Sequence, residues 1–211
     1  YYDAETGQWA FSVNDSGDVV DETCDLYALA FVIFSFSHYF RAGRDARAKH
    51  HALAVLRLLD TKFRLEKGLA EAIDADGAVI PKIRRQNPHM HLLEACLFAY
   101  DTWKDPAFLS MADEMIFLFY NYFLDPNTKA SVIEFFTDDL APHPDQGGSR
   151  EPGHSFEWVW LLKKHAALKG DPARHDDAAL RLFDWANKHG WDAQFGGIYD
   201  ALDPAGNVLS D

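Results

Sequence analysis

The feature that most constrains this 211-residue chain is that it repeats itself. Asp45-Ala46, Asp105-Pro106 and Asp171-Pro172 recur at intervals of 60 and 66 residues. Each lies between two segments whose apolar residues follow i, i+3 and i+4 spacing. Those segments run roughly over 25–42, 46–64, 89–103, 107–123, 154–169 and 173–189. They predict three pairs of amphipathic helices. The Asp is placed to cap the second helix of each pair, and Pro suits its first turn. Asp15-Ser16-Gly17, Asp74-Ala75-Asp76-Gly77 and Asp203-Pro204-Ala205-Gly206 have apolar or β-branched neighbours and read as small β-hairpins. The expected fold class is therefore all-α, a toroid of helical hairpins in which the first helices line an inner ring. Three pairs do not close such a ring. The chain opens on Tyr1-Tyr2-Asp3 and stops at Asp211 after a turn-like segment. It is expected to be a single domain over 1–211, an internal fragment giving part of the ring.

The bulk properties narrow the function. Hydrophobic residues make up 48% of the chain, enough for a sizeable core. The net charge of −13 argues against nucleic acid and against an anionic membrane surface. The most apolar stretch, Leu26 to Phe36, is too short to span a bilayer. Cys24 and Cys96 lie in apolar helical patterns and do not suggest a disulfide framework. Two such thiols point to a reducing compartment, the cytoplasm.

The repeat register says where chemistry should lie. Fourteen residues before each repeat Asp stand Phe31, His91 and Glu157; eighteen before stand Tyr27, Asn87 and Gly153. These positions cluster at the start of each first helix. In Gln86-Asn87-Pro88-His89-Met90-His91, Pro88 fits a first turn with Asn87 as its cap. Asn87 and His91 are four apart and share a face. His89 lies on another face and is expected to be structural or solvated, while Glu94 is spaced to orient His91. In Glu151-Pro152-Gly153-His154-Ser155-Phe156-Glu157-Trp158, Gly153 lets the backbone turn into the helix. His154 and Glu157 are neighbours three apart. A His beside a carboxylate is a plausible general base, with a pKa tuned near neutrality in a partly dry pocket. Taken singly, such a pair equally closes a helix end. Two His-bearing motifs in one register favour chemistry, and His91, His154 and Glu157 are expected to face one carbohydrate pocket.

The same three residues form a two-His-one-carboxylate set. The motifs lack the i, i+4 His pair of zinc hydrolases, so no metal and no cofactor are expected. Trp158, Trp160 and Trp185 follow helical spacing and read as core. Tyr27, Phe31 and Trp191 are better placed to line a cleft, since sugars stack on flat apolar rings. Ala141 to Arg150, rich in Pro and Gly, reads as a loop before His154 that serves either as a lid or as a plain connection.

On these residues the chain resembles the N-acylglucosamine 2-epimerase family, which includes cellobiose 2-epimerases and mannose isomerases. Arg85 to Glu94 and Glu151 to Trp158 carry the resemblance, with Asp25-Leu26-Tyr27, Ala30-Phe31 and Gly196-Gly197-Ile198-Tyr199-Asp200 in support. It implies a six-hairpin (α/α)6 barrel, of which this chain gives about half the ring, and metal-free proton transfer at C2 of an open-chain sugar through an enediol. His154 matches the family histidine that moves the C2 proton, and Glu157 its partner. His91 and Asn87 match residues that bind and polarise the oxygens around C1 and C2, and Tyr27 an aromatic of the cleft. The family's second catalytic histidine and its substrate-binding arginine have no counterpart in this chain, and Leu29 departs from the isomerase branch. Mannose–fructose-type isomerisation stands slightly ahead of 2-epimerisation. The alternative is a glycan-processing hydrolase or binding module on a similar barrel. A small-molecule sugar is the expected partner, and a homodimer of the full-length parent is left open.

Overall fold

The computed structural model describes residues 1–210, in two compact units: Tyr1–Lys82 with Pro88–Met115, and Ile83–Asn87 with the chain from Ile116 onward. The helices are α1 (Leu26–Gly43), α2 (Arg47–Leu58), α3 (Gln86–Trp103), α4 (Pro106–Leu118), α5 (Pro152–Leu168) and α6 (Asp176–Gly190). Among the described residues, no helix is long and apolar enough to cross a membrane.

The first helices begin at Leu26, Gln86 and Pro152, on the 60- and 66-residue intervals of the sequence. Their ends keep the same register. Arg44, Lys104 and Gly170 all have positive φ, the left-handed cap that lets a helix stop and the chain reverse. The strand immediately before each first helix pairs with a return strand beyond the second. β3 (Cys24–Asp25) pairs with β4 (Ala72–Ile73), β5 (Arg84–Arg85) pairs with β6 (Phe135–Phe136), and Arg150 bridges Leu202 of β7 (Ala201–Leu202). The first two helical hairpins are thus clamped at the base by a two-residue antiparallel pairing, and the third by a single antiparallel bridge. β1 (Ser12–Val13) with β2 (Val19–Asp21), and β7 with β8 (Val208–Ser210), form the expected hairpins around Asp15-Ser16-Gly17 and Asp203 to Gly206. At Asp74 to Gly77 the flanking residues Ile73 and Val79 make a single bridge.

In the first unit, Leu26, Leu29 and Ile33 of α1, Val55 of α2, Leu93 and Cys96 of α3 and Phe108 of α4 are buried. Full burial of such a side chain contributes roughly 1.5–3 kcal/mol. In the second unit, Trp158, Leu161 and Leu162 of α5 and Leu182 and Ala186 of α6 are buried, with Phe119, Phe123 and Phe136. Trp158 and Trp185 are core as expected, whereas Trp160 is half-exposed.

Three local expectations are corrected. Helix α3 starts at Gln86, so Asn87 sits inside the first turn and is not its cap. Gln86 N donates to Glu134 O, which turns the chain from strand β5 directly into the helix. Asp105 caps α4 through Ala107 N at 3.0 Å, but Asp171 does not cap the last helix, which starts at Asp176. His175 Nε2 lies 2.9 Å from His165 Nδ1 on α5, pinning the chain there before α6 begins. Finally, α2 and α4 each close with a π-helical turn, Leu59–Phe63 and Phe119–Phe123, which helical periodicity alone does not signal.

Candidate active site

His154 stands on the first turn of α5, half-buried, two residues after Pro152. The N-cap Glu151 has extended backbone and makes no side-chain cap. Its carboxylate reaches forward instead, to within 3.1 Å of His154 Nδ1. The shorter carboxylate contact comes from Glu134, whose Oε2 lies 2.9 Å from the same nitrogen. Glu134 is buried just before the return strand β6, where its backbone also accepts from Gln86 N.

Gln86, fully buried at the start of α3, donates through Nε2 to Glu134 Oε2 at 2.8 Å and accepts through Oε1 from Trp158 Nε1 at 2.7 Å. Trp158 is held in turn by Phe119 and Phe123 of the π turn, with ring centroids at 4.4 and 6.4 Å. A continuous support therefore runs from the end of α4 through Trp158, Gln86 and Glu134 to the His154 ring.

The electrostatics follow from this packing. Burial by itself disfavours a charged imidazole, and so does a helix N-terminus. The Glu134 hydrogen bond and the charges of Glu134, Glu151 and Glu157 outweigh burial and push the His154 pKa up to about 9. The expected value near neutrality is corrected: carboxylates win over desolvation. Burial, then the Glu134 charge, raises the Glu151 carboxyl above its ordinary range. Glu157 is exposed on α5, and its charge is the last-ranked of the three carboxylates acting on His154. The direct partners are Glu134 and Glu151.

Donor atoms of Glu134, Glu151 and His154 lie within 4.8 Å of one another, close enough for three ligands of a cation. Gln86 fits that use poorly. Its hydrogen-bearing nitrogen, oriented by Trp158, stands 3.0 Å from His154 Nδ1 and presents a donor where a cation would sit.

The first unit holds a second set. His91 Nδ1 is 2.9 Å from Glu94 Oε2, the pairing its i, i+3 spacing suggested. Tyr27 meets the His91 ring edge-on at 5.0 Å, and Phe31 meets it at 5.2 Å. Tyr27, Phe31 and His91 thus form one aromatic cluster at the starts of α1 and α3. His89 is fully buried, and its Nε2 accepts from Leu69 N at 3.3 Å, a structural role. An apolar groove of about 520 Å³ lies along α1, lined by Trp9, Phe31, Phe36 and Tyr39 among others.

The remaining expected residues are more scattered. Asn87 is half-buried, and its Oδ1 is buried without a hydrogen-bond partner among the described residues. Trp191 is 53% exposed beyond the end of α6 and bridges Ile198. The Ala141 to Arg150 segment is tied down: Gly147 N donates to His143 O, and Arg150 Nη1 donates to Gly147 O and Ser149 O. It is a connection.

Glu134 was missed because it lies outside the helix starts that the repeat Asp residues index. A signal for it exists. Leu69-Ala70-Glu71-Ala72-Ile73 and Val132-Ile133-Glu134-Phe135-Phe136 align, each putting a buried Glu before a return strand. In both, the Glu backbone oxygen accepts from the first residue of a first helix.

Residues 1–211 match a family model described as N-acylglucosamine 2-epimerase (GlcNAc 2-epimerase). A mannose-6-phosphate isomerase of Rhizobium meliloti is 34% identical over 197 residues, covering 90% of this chain and 50% of that protein. A cellobiose 2-epimerase of Bacteroides fragilis is 28% identical over 183 residues, covering 81% and 46%. A crystal structure of a D-mannose isomerase superposes with a TM-score of 0.83 at 28% identity, covering 98% of this chain and 55% of that one. The chain spans about half the length of the curated relatives it matches. Its fold class is all-α, the helical hairpins of an (α/α)6 barrel joined by short strands.

Proposed function

Because the chain belongs to the N-acylglucosamine 2-epimerase family, we propose that it carries the proton-transfer machinery of a sugar isomerase or 2-epimerase working at C2 of an open-chain aldose. The observation that carries this reading is His154, half-buried and held through Nδ1 by a buried carboxylate. Its neutral ring takes the C2 proton, breaking the C–H bond and leaving an enediolate whose charge develops on O1, to be neutralised by a donor there. The imidazolium then returns the proton to C1 for a ketose, whereas an epimer needs a second acid on the opposite face of C2, the part that the family resemblance gives to a second histidine. Aldose–ketose isomerisation of the mannose type is the favoured outcome, since the relative with the higher identity is named a mannose-6-phosphate isomerase.

Glu157 is assigned to sugar hydroxyls beside His154. His91, oriented by Glu94, and Asn87 are assigned to the oxygens at C1 and C2, where loss of an oxyanion donor costs about 2.7–4 kcal/mol. The unpaired Asn87 Oδ1 suits a sugar hydroxyl, because a buried acceptor left unsatisfied costs about 1–3 kcal/mol. Tyr27, Phe31 and Trp191 supply apolar ring faces to the sugar. We take the substrate to be unphosphorylated. Arg84 is buried with Nη1 on the Asp138 carbonyl, and the chain is strongly acidic.

Hydrolysis is the weaker reading. It needs two carboxylates straddling a glycosidic bond about 5–9.5 Å apart. Glu134 and Glu151 instead converge on one imidazole nitrogen. The buried thiols Cys24 and Cys96 favour the cytoplasm, and the acidity favours a sugar over nucleic acid as partner. A homodimer of the full-length parent remains an expectation. The test is solvent exchange in deuterium oxide: the full-length protein incorporates deuterium at C2 of its aldose, and His154→Ala abolishes this. Exchange that survives the substitution sinks the assignment.

A further inference from the structure

We infer that Glu134 is the positioning residue of this site, fixing His154 with a proton on Nδ1 so that Nε2 is the nitrogen that exchanges protons with the sugar. This rests on the reading that His154 moves the C2 proton. Spacing alone pairs His154 with Glu157, but the carboxylates of Glu134 and Glu151 stand at 2.9 and 3.1 Å from its ring and their charges act on it ahead of Glu157.

The assignment comes from hydrogen-bond logic rather than proximity alone. An indole N–H only donates, so Trp158 Nε1 at 2.7 Å identifies the Gln86 atom facing it as the amide oxygen. The other end of Gln86 is then NH2, and it donates to Glu134 Oε2 at 2.8 Å. His154 Nδ1 approaches that same carboxylate oxygen at 2.9 Å and stands 3.0 Å from the Gln86 nitrogen. Two donors converging on one ionised oxygen satisfy every atom. The opposite arrangement, an unprotonated Nδ1 accepting from Gln86, would set two acceptors 2.9 Å apart unless Glu134 itself held a proton. Gln86 Nε2 and the Glu151 backbone N–H both donate to the Glu134 carboxylate, at 2.8 and 3.4 Å, so its oxygens already act as acceptors before His154 is counted. Glu151 Oε2, at 3.1 Å, offers the Nδ1 proton a second, more solvated acceptor.

The charged groups facing the ring are thus Glu134 ahead of β6, Glu151 at the helix cap and Glu157 on α5, with Gln86 of α3 as the neutral donor. Carboxylate–imidazole support of this kind fixes both the tautomer and the ring orientation.

The experiment uses the full-length protein labelled with 15N-histidine, with the His154 signals assigned by their loss in His154→Asn. In the unsubstituted protein, Nδ1 is expected to stay protonated and Nε2 to be the nitrogen that titrates, at a pH well above the ordinary histidine range. Glu134→Gln should lower that midpoint by a pH unit or more. It should also slow C2 exchange at least about 10-fold, as loss of an orienting partner does. The pH profile of exchange should move with the midpoint. Glu157→Gln should move the midpoint less than Glu134→Gln. Titration at Nδ1 in the unsubstituted protein overturns the proposal, even if Glu134→Gln fails to fold. So does a Glu134→Gln protein whose midpoint and exchange profile are unchanged. If His154→Ala retains exchange while the Nδ1 proton is found as expected, the proton-transfer role fails and Glu134 loses its part in catalysis with it, whereas the hydrogen-bond assignment stands.

Discussion

A histidine whose folded pKa lies above its unfolded value binds its proton more tightly in the folded state. For His154 the shift runs from an ordinary value of 6.5 to about 9. Its contribution to stability is therefore complete below about pH 6.5 and disappears as pH rises through about 9, amounting to about 3 kcal/mol across that window. Urea unfolding at pH 6 and pH 10, compared between the unsubstituted protein and His154→Gln, isolates this from lysine, tyrosine and cysteine titrations. The unsubstituted protein should lose its advantage over the variant as pH rises, and a difference independent of pH would remove Glu134 and Glu151 as effective partners of the ring. The residue scale is also where the sequence was least complete. His154 itself is readable because it stands beside Gly153 and Glu157 at a helix start in a repeat register. Its buried carboxylate is not, because Glu134 is twenty residues away and meets the ring only after β6 pairs with β5.

At the scale of elements, periodicity carried nearly all of the first helices and their spacing, since a one-residue slip would turn an apolar stripe to water. What escaped it were features made by contacts across the hairpin, such as the π turn under Trp158 and the delayed start of α6 at the His165–His175 pair. Glycine roles likewise depend on contacts. Gly153, taken from sequence as a tight-turn residue, has no positive φ and nothing within 4 Å of where a Cβ would lie. Gly190, unremarked in sequence, ends α6 against Pro152, and a Cβ there would stand 2.4 Å from the proline Cβ. The two should respond oppositely. Gly190→Ala must push Pro152 away and is expected to cost about 1–3 kcal/mol, as overpacking does. Gly153→Ala, at an unstrained helical position, is expected to be neutral or to stabilise by about 0.4–1 kcal/mol through the unfolded chain. Thermal unfolding of both variants checks the contrast, and equal effects would mean that α6 does not close against the start of α5.

For the whole molecule the decisive quantity is charge. Acidic residues number 33 against 20 lysines and arginines, and many of those cations are already engaged. Arg41 pairs with Asp101, Lys49 with Asp105, Arg64 with Asp60 and Glu114, Arg181 with Asp177, and the buried Arg150 with Asp125. Exposed pairs of this kind add about 0–1 kcal/mol each to stability, but they consume positive charge that an anionic substrate would need. Arg84, whose neighbouring Arg85 completes the only Arg-Arg dipeptide of the chain, is buried and spent on the Asp138 carbonyl. A phosphorylated sugar approaching this surface meets repulsion, and a neutral one does not. The full-length protein should therefore convert free mannose with a kcat/KM at least about 10-fold above that for mannose 6-phosphate. Added salt should narrow the gap by raising only the phosphate rate, because screening within about 10 Å acts on the charged substrate alone. A phosphate rate equal to or above the neutral one, falling as salt is added, would show that cations outside these three hairpins govern substrate choice and would withdraw the unphosphorylated reading.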